Sequence, residues 1–115
     1  MVTHRVLFHL DEGSNFRGQL VLSNIKHLFD DLKDEVEVEL VVNSAGVKLF
    51  QSDSSSIKEE TQALLQQGLT IAICRNSMKY YDIQEAAFLS GVVFVASGVG
   101  ELTRKQTTGW SYIRP

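Results

Sequence analysis

The stretch Leu69-Thr70-Ile71-Ala72-Ile73-Cys74 constrains the fold more than any other part of the chain. It is a continuous apolar, β-branched run of strand length, opened by Gly68 and closed by the polar residues Arg75-Asn76-Ser77. Such a run has no wet face, so it belongs in a sheet covered on both sides, which is the setting of parallel strands. Val92-Val93-Phe94-Val95-Ala96 is a second run of the same kind, and His4 to Leu10, centred on Val6-Leu7-Phe8, is a third. Val36 to Val42 differs: Glu37 and Glu39 alternate with apolar residues before the run turns wholly apolar. That pattern predicts an edge strand half open to water, its charges blunting edge-to-edge pairing.

Helical patterns separate these runs. After the loop Asp11 to Asn15, with Ser14 or Asn15 as cap, the residues Leu20, Val21, Ile25, Leu28, Phe29 and Leu32 recur at three- and four-residue spacing and form one apolar stripe. A short apolar turn at Val47 to Phe50 leads into the polar tract Gln51 to Ser56, read as a mobile surface loop. A helix then runs from about Ser56, its cap, to Gln67, with Glu59 and Glu60 as a solvated first turn and Gly68 at C′. Further helices are expected through Tyr80 to Leu89 and Glu101 to Thr108, and Trp110 to Ile113 reads as a last short strand.

The resulting order β-α-β-α-β-α-β-α-β predicts one α/β domain over residues 1–115, a three-layer α/β/α sandwich around a mostly parallel five-stranded sheet of Rossmann or flavodoxin-like type. The expected topology puts the second strand at an edge, the first beside it, then the Cys74 and Val92 strands. The order would reverse between the first and third strands, leaving His9 and Cys74 to flank the crevice where α/β sheets collect ligands.

No run approaches the ~20 apolar residues of a membrane-spanning helix. The N-terminus reads as a strand with no secretory pattern, and the expectation is a cytoplasmic protein. A net charge of −3, with eleven scattered basic residues, leaves no electrostatic footprint for nucleic acid. The single cysteine excludes an internal disulfide and a cysteine-only metal site within one chain.

Cys74 is therefore the first candidate for chemistry, as a free thiol at a strand's carboxyl end. Asn76 or Ser77 can cap the next helix, whose N–H groups favour a thiolate, and Arg75 and Lys79 add positive charge. The bland alternative is a buried cysteine acting as a small hydrophobe. Of the three histidines only His9 reaches the same sheet edge. A Cys–His hydrolase would need an oriented third member and an oxyanion hole that no sequence feature supplies. Ser97-Gly98-Val99-Gly100 resembles half of a phosphate loop, but it lacks the third glycine and the ribose-binding acid; a tight turn with glycine at positive φ explains it as well. Tyr80, Tyr81, Phe88 and Trp110 either complete the core or line a subunit contact.

Cys74-Arg75-Asn76-Ser77-Met78, together with the tail Gly98-Val99-Gly100-Glu101-Leu102, Gln106, Gly109-Trp110, Tyr112 and Pro115, resembles the DsrE/DsrF-like family of small sulfur-relay proteins, which includes YchN-like and TusBCD-type members. The resemblance implies a five-stranded α/β fold, trimers or hexamers, and a cysteine at position 74 that carries persulfide sulfur between donor and acceptor proteins or small persulfides. It implies no metal and no organic cofactor. Arg75 stands where many relatives have glycine, which bears on access or partner choice. Arg75, Asn76 and His9 are the candidate supporting residues. Two other readings stay open: an oligomeric small-ligand-binding module with Cys74 merely buried, and a thiol redox sensor.

Overall fold

The computed structural model describes residues 1–53 and 55–115; of the predicted mobile tract, Ser54 lies outside the described residues. Five strands, β1 (His4–Leu10), β2 (Val36–Val42), β3 (Thr70–Cys74), β4 (Val93–Val95) and β5 (Ser111–Ile113), form one sheet in the order β4-β3-β2-β1-β5. Every pairing is parallel. Four helices connect them: α1 (Asn15–Leu32), α2 (Lys58–Gln66), α3 (Arg75–Tyr81) and α4 (Gly98–Thr107).

The placement of the helices follows from the strand order. From β1 to β4 the chain steps always in the same direction across the sheet. Right-handed crossovers therefore lay α1, α2 and α3 on one face. The step from β4 to β5 runs the opposite way, past three strands, and the same handedness sends α4 to the other face. The core divides accordingly. The large cluster joins Val6, Phe8, Val38, Leu40, Ile71 and Ile73 of the sheet to Val21, Leu22 and Ile25 of α1, Leu64 of α2 and Met78 of α3. The small one holds only Leu7, Val41, Ala72 and Leu102, flanked by Val95 and Trp110.

The expected strand order is corrected here. β2 is the central strand, not an edge, and the reversal lies between β1 and β5 instead of between β1 and β3. Glu39 misled because its carboxyl group faces protein: it is 4% exposed and lies 3.2 Å from Lys105 of α4. Glu37, beyond the reach of α4, stays exposed and pairs with Arg5 of β1.

Two helix boundaries also differ. α3 stops at Tyr81 because Asp82 adopts a left-handed conformation (φ 55°) and its N–H returns to Lys79 O, a C-terminal cap that Asp tolerates. Beyond it Phe88 and Leu89 are buried, and Phe88 forms a bridge with Gln51. The described part of the polar tract is thus partly docked, Ser52 N–H donating to Ala87 O at 2.8 Å. Ser56 does not cap α2; Ile57 holds that position and Ser56 Oγ bonds Asn15 Oδ1 at 2.8 Å.

Candidate functional site

Cys74 closes β3 and is itself the N-cap residue of α3. It pairs in register with Val95 and lies two residues beyond Ala72, so its side chain points to the α4 face. The sulfur accordingly meets two helix starts. α3 begins with the very next residue, and the first residue of α4, Gly98, comes from the neighbouring crossover. At both starts the leading N–H groups have no partner within their helix.

Burial pushes the Cys74 thiol up, but the Ser77 hydroxyl and the main-chain N–H groups of Gly98, Ser77 and Asn76 outweigh it, and the pKa falls below the ordinary thiol value. Ser77 is oriented for this role. Its Oγ accepts from Ser44 N–H at 2.7 Å, which frees its own proton for the sulfur. Ser44 holds that position with φ at 53°, an uncommon conformation for a non-glycine residue. The sulfur has little direct contact with water, Cys74 being 4% exposed. A surface groove lined by Asn43, Ser44, Asn76, Ser77, Tyr80 and Tyr81 opens against its donors.

The candidate supporting residues separate in the structure. Asn76 contributes its N–H and lines the groove. Arg75 turns outward instead, its guanidinium bonded to Glu85 and 5.4 Å from the Phe94 ring centroid. Lys79 is likewise on the surface. The expected help from neighbouring cations is thus replaced by hydrogen bonding, since an exposed side chain on an outward helix face lies in screening water. His9 does not touch the thiol, because β2 stands between β1 and β3. Its Nε2 bonds Asn43 Oδ1 at 3.0 Å and its Nδ1 faces Tyr112 Oη at 2.6 Å.

Sequence reasoning missed Asn43, Ser44 and the hydroxyl role of Ser77. Asn43, the first polar residue after β2, was the readable signal. The glycine loop was also misjudged. Gly98 and Gly100 belong to α4 and neither has positive φ. Ser97 caps the helix by accepting from Gly100 N–H at 3.0 Å, and a Cβ at Gly98 would come within 3.0 Å of Asn43 Cβ. Lack of bulk is what these glycines supply. Of the aromatic residues, Phe88 belongs to the core, Tyr80 is 82% exposed, Tyr81 packs under Lys48, and Trp110 under Lys105. Among the described residues, no group of three or more His, Cys, Asp or Glu side chains is arranged to hold a metal. Nor, among them, is any helix long and apolar enough to cross a membrane.

Fold and site together define a class of small α/β proteins with one thiol set at the carboxyl edge of an all-parallel sheet, between two helix starts. The DsrE/DsrF-like family model matches residues 7–115, and the chain belongs to that family, which is associated with sulfur relay. It is similar to MTH1491 of Methanobacterium thermoautotrophicum, a protein described as of unknown function, with a TM-score of 0.92 at 38% identity over 97% of this chain and 99% of that one. It shares its fold with the ychN protein of E. coli, with a TM-score of 0.83 at 12% identity over 98% and 100% of the two chains. A comparison with curated proteins finds no match.

Proposed function

We propose that the protein is a cytoplasmic sulfur carrier that holds persulfide sulfur on Cys74. The observation that carries this reading is the place of Cys74 at the end of β3, as N-cap of α3 and beside the start of α4, where the Ser77 hydroxyl and the N–H groups of Gly98, Ser77 and Asn76 hold its pKa below the ordinary thiol value despite burial. A structural cysteine in apolar packing would have its pKa raised instead.

In the loading step the Cys74 thiolate attacks the outer sulfur of a donor persulfide. A new S–S bond forms at Cys74, the donor's S–S bond breaks, and the donor leaves as a thiolate that takes up a proton. In unloading, an acceptor thiolate attacks the terminal sulfur of the Cys74 persulfide, and Cys74 departs as a thiolate into the same donors. Sulfur moves with no net oxidation, so the reaction calls for no electron acceptor. With the thiol 4% exposed, transfer requires local opening around the sulfur, and the groove that Asn76 and Ser77 help to line is the opening nearest its donors.

The partners proposed are sulfur donor and acceptor proteins or small persulfides, and further copies of the chain. Among the described residues α4 is the one helix on its face of the sheet, and Val93 and Tyr112 of the sheet and Val99 of α4 itself are exposed, which supports a homo-oligomer such as a trimer or hexamer, measurable by light scattering.

The carrier reading is tested by transfer. Protein loaded from a small persulfide and freed of excess donor should pass sulfur to an added acceptor thiol, and Cys74→Ser should pass none. Equal release from both forms would refute the reading. A thiol that neither loads nor alkylates in the folded protein would favour the ligand-binding module, to which its burial is the pertinent observation. A dimer linked through Cys74 under mild oxidant would favour the redox sensor.

A further inference from the structure

The geometry points to Asn43 as a positioning residue for the Cys74 thiolate: held by His9, its side chain fixes where Gly98 sits and so aims the Gly98 N–H at the sulfur. Asn43 follows β2 directly and is anchored by its own N–H to Leu10 O at 3.1 Å. This puts it in the row of strand ends between His9 of β1 and Cys74 of β3.

A neutral His9 ring satisfies the whole row. Asn43 Oδ1 can only accept, so His9 Nε2 donates to it. In the neutral ring Nδ1 is then unprotonated and accepts from the Tyr112 hydroxyl. With Oδ1 committed to His9, the remaining face of the amide lies on Gly98. A Cβ at Gly98 would stand 3.0 Å from Asn43 Cβ, 3.4 Å from Cγ and 3.5 Å from Nδ2. Gly98 thus leaves no room for a side chain between α4 and Asn43, whose amide β1 and β5 hold in place; Cγ and Nδ2 are the part of that contact that Asn43→Ala removes. Gly98 N–H is one of the groups that lower the Cys74 pKa. His9 thus reaches the thiol through two intermediaries, Asn43 and Gly98, across the central strand.

This inference deepens the carrier reading and rests on it, since it assigns a means of holding the thiolate that the carrier needs. The test is the pH profile of Cys74 alkylation by iodoacetamide, in wild type, Asn43→Ala, His9→Leu and His9→Gln, with circular dichroism confirming the fold of each. Asn43→Ala and His9→Leu should move the profile to higher pH and lower the rate at neutral pH by roughly three- to tenfold, the effect of weakening one hydrogen bond to a charged group. His9→Gln retains a donor for Asn43 Oδ1 and should restore the wild-type profile, which a loss of packing alone would not. Profiles of folded Asn43→Ala and His9→Leu that coincide with wild type would overturn the positioning role. If Asn43→Ala does not fold, His9→Leu against His9→Gln decides it alone. Sulfur loading of wild type, measured in parallel, separates the two claims: a protein that never loads refutes the carrier reading, while the profiles still decide whether Asn43 positions the thiolate.

Discussion

Replacing Glu39 with Gln should remove a pH dependence of stability that the fold carries in its smaller core. Glu39 is 4% exposed on the central strand and lies beneath α4, with Lys105 Nζ at 3.2 Å from Oε1. Among the described residues its Oε2 has no hydrogen-bond partner of its own. Burial is the largest cause raising its pKa, followed by the adjoining Glu101 carboxylate, and together they lift it from 4.5 to about 7. The Glu101 pKa is lowered, chiefly by the adjoining Glu39 carboxyl. The pair thus shares one proton that resides on the buried Glu39. A raised carboxyl pKa gives stability that is fully present below 4.5 and lost as pH rises through about 7. At roughly 1.4 kcal/mol per pH unit, the rise from 4.5 to about 7 corresponds to about 3 kcal/mol. The contribution of Glu101 is lost only on acidification below its ordinary 4.5, outside the range tested. Urea unfolding at about pH 5 and about pH 8.5 should show wild type losing roughly 2–3 kcal/mol more than Glu39→Gln between the two conditions. Equal losses in the two proteins would refute the shared-proton account.

Three further perturbations separate the remaining parts of the argument. Leu102→Ala, in a cluster with only Leu7, Val41 and Ala72 as its other buried members, should cost about 2–4 kcal/mol in urea unfolding. By loosening α4 it should also move Cys74 alkylation to higher pH. Ser77→Ala removes the largest of the influences that lower the thiol pKa, so its alkylation profile should move to higher pH while circular dichroism is unchanged. Arg75→Ala should leave that profile in place and change stability by less than about 1 kcal/mol, since its ion pair with Glu85 is about half exposed.

Much of the fold was legible because apolar runs and capping residues are local signals. β1 and β2 fall where the hydrophobic pattern put them, Ser14 caps α1 by accepting from Arg17 N–H, and Gly68 ends α2 with φ at 106°. Strand order was not legible, because a charge on a strand does not say whether water or a lysine faces it. Glu39 reads like Glu37, yet Lys105 of α4 covers the first and Arg5 meets the second at the surface. The site divides along the same line. Cys74 could be picked out by type and place. Its donors come from two separate helix starts, those of α3 and α4, and the Ser44 N–H that orients Ser77 is 33 residues from it in sequence. Asn43 gains its place only once β2 is known to lie between His9 and Cys74.

The central claim is that the groups around one nearly covered thiol favour its thiolate form, so that it can take up sulfur. Intact-protein mass spectrometry after exposure to a small persulfide tests it most directly. The account predicts a gain of one sulfur atom on wild type, removed by a reducing thiol and absent from Cys74→Ser. An unchanged wild-type mass, or the same gain on Cys74→Ser, would contradict it.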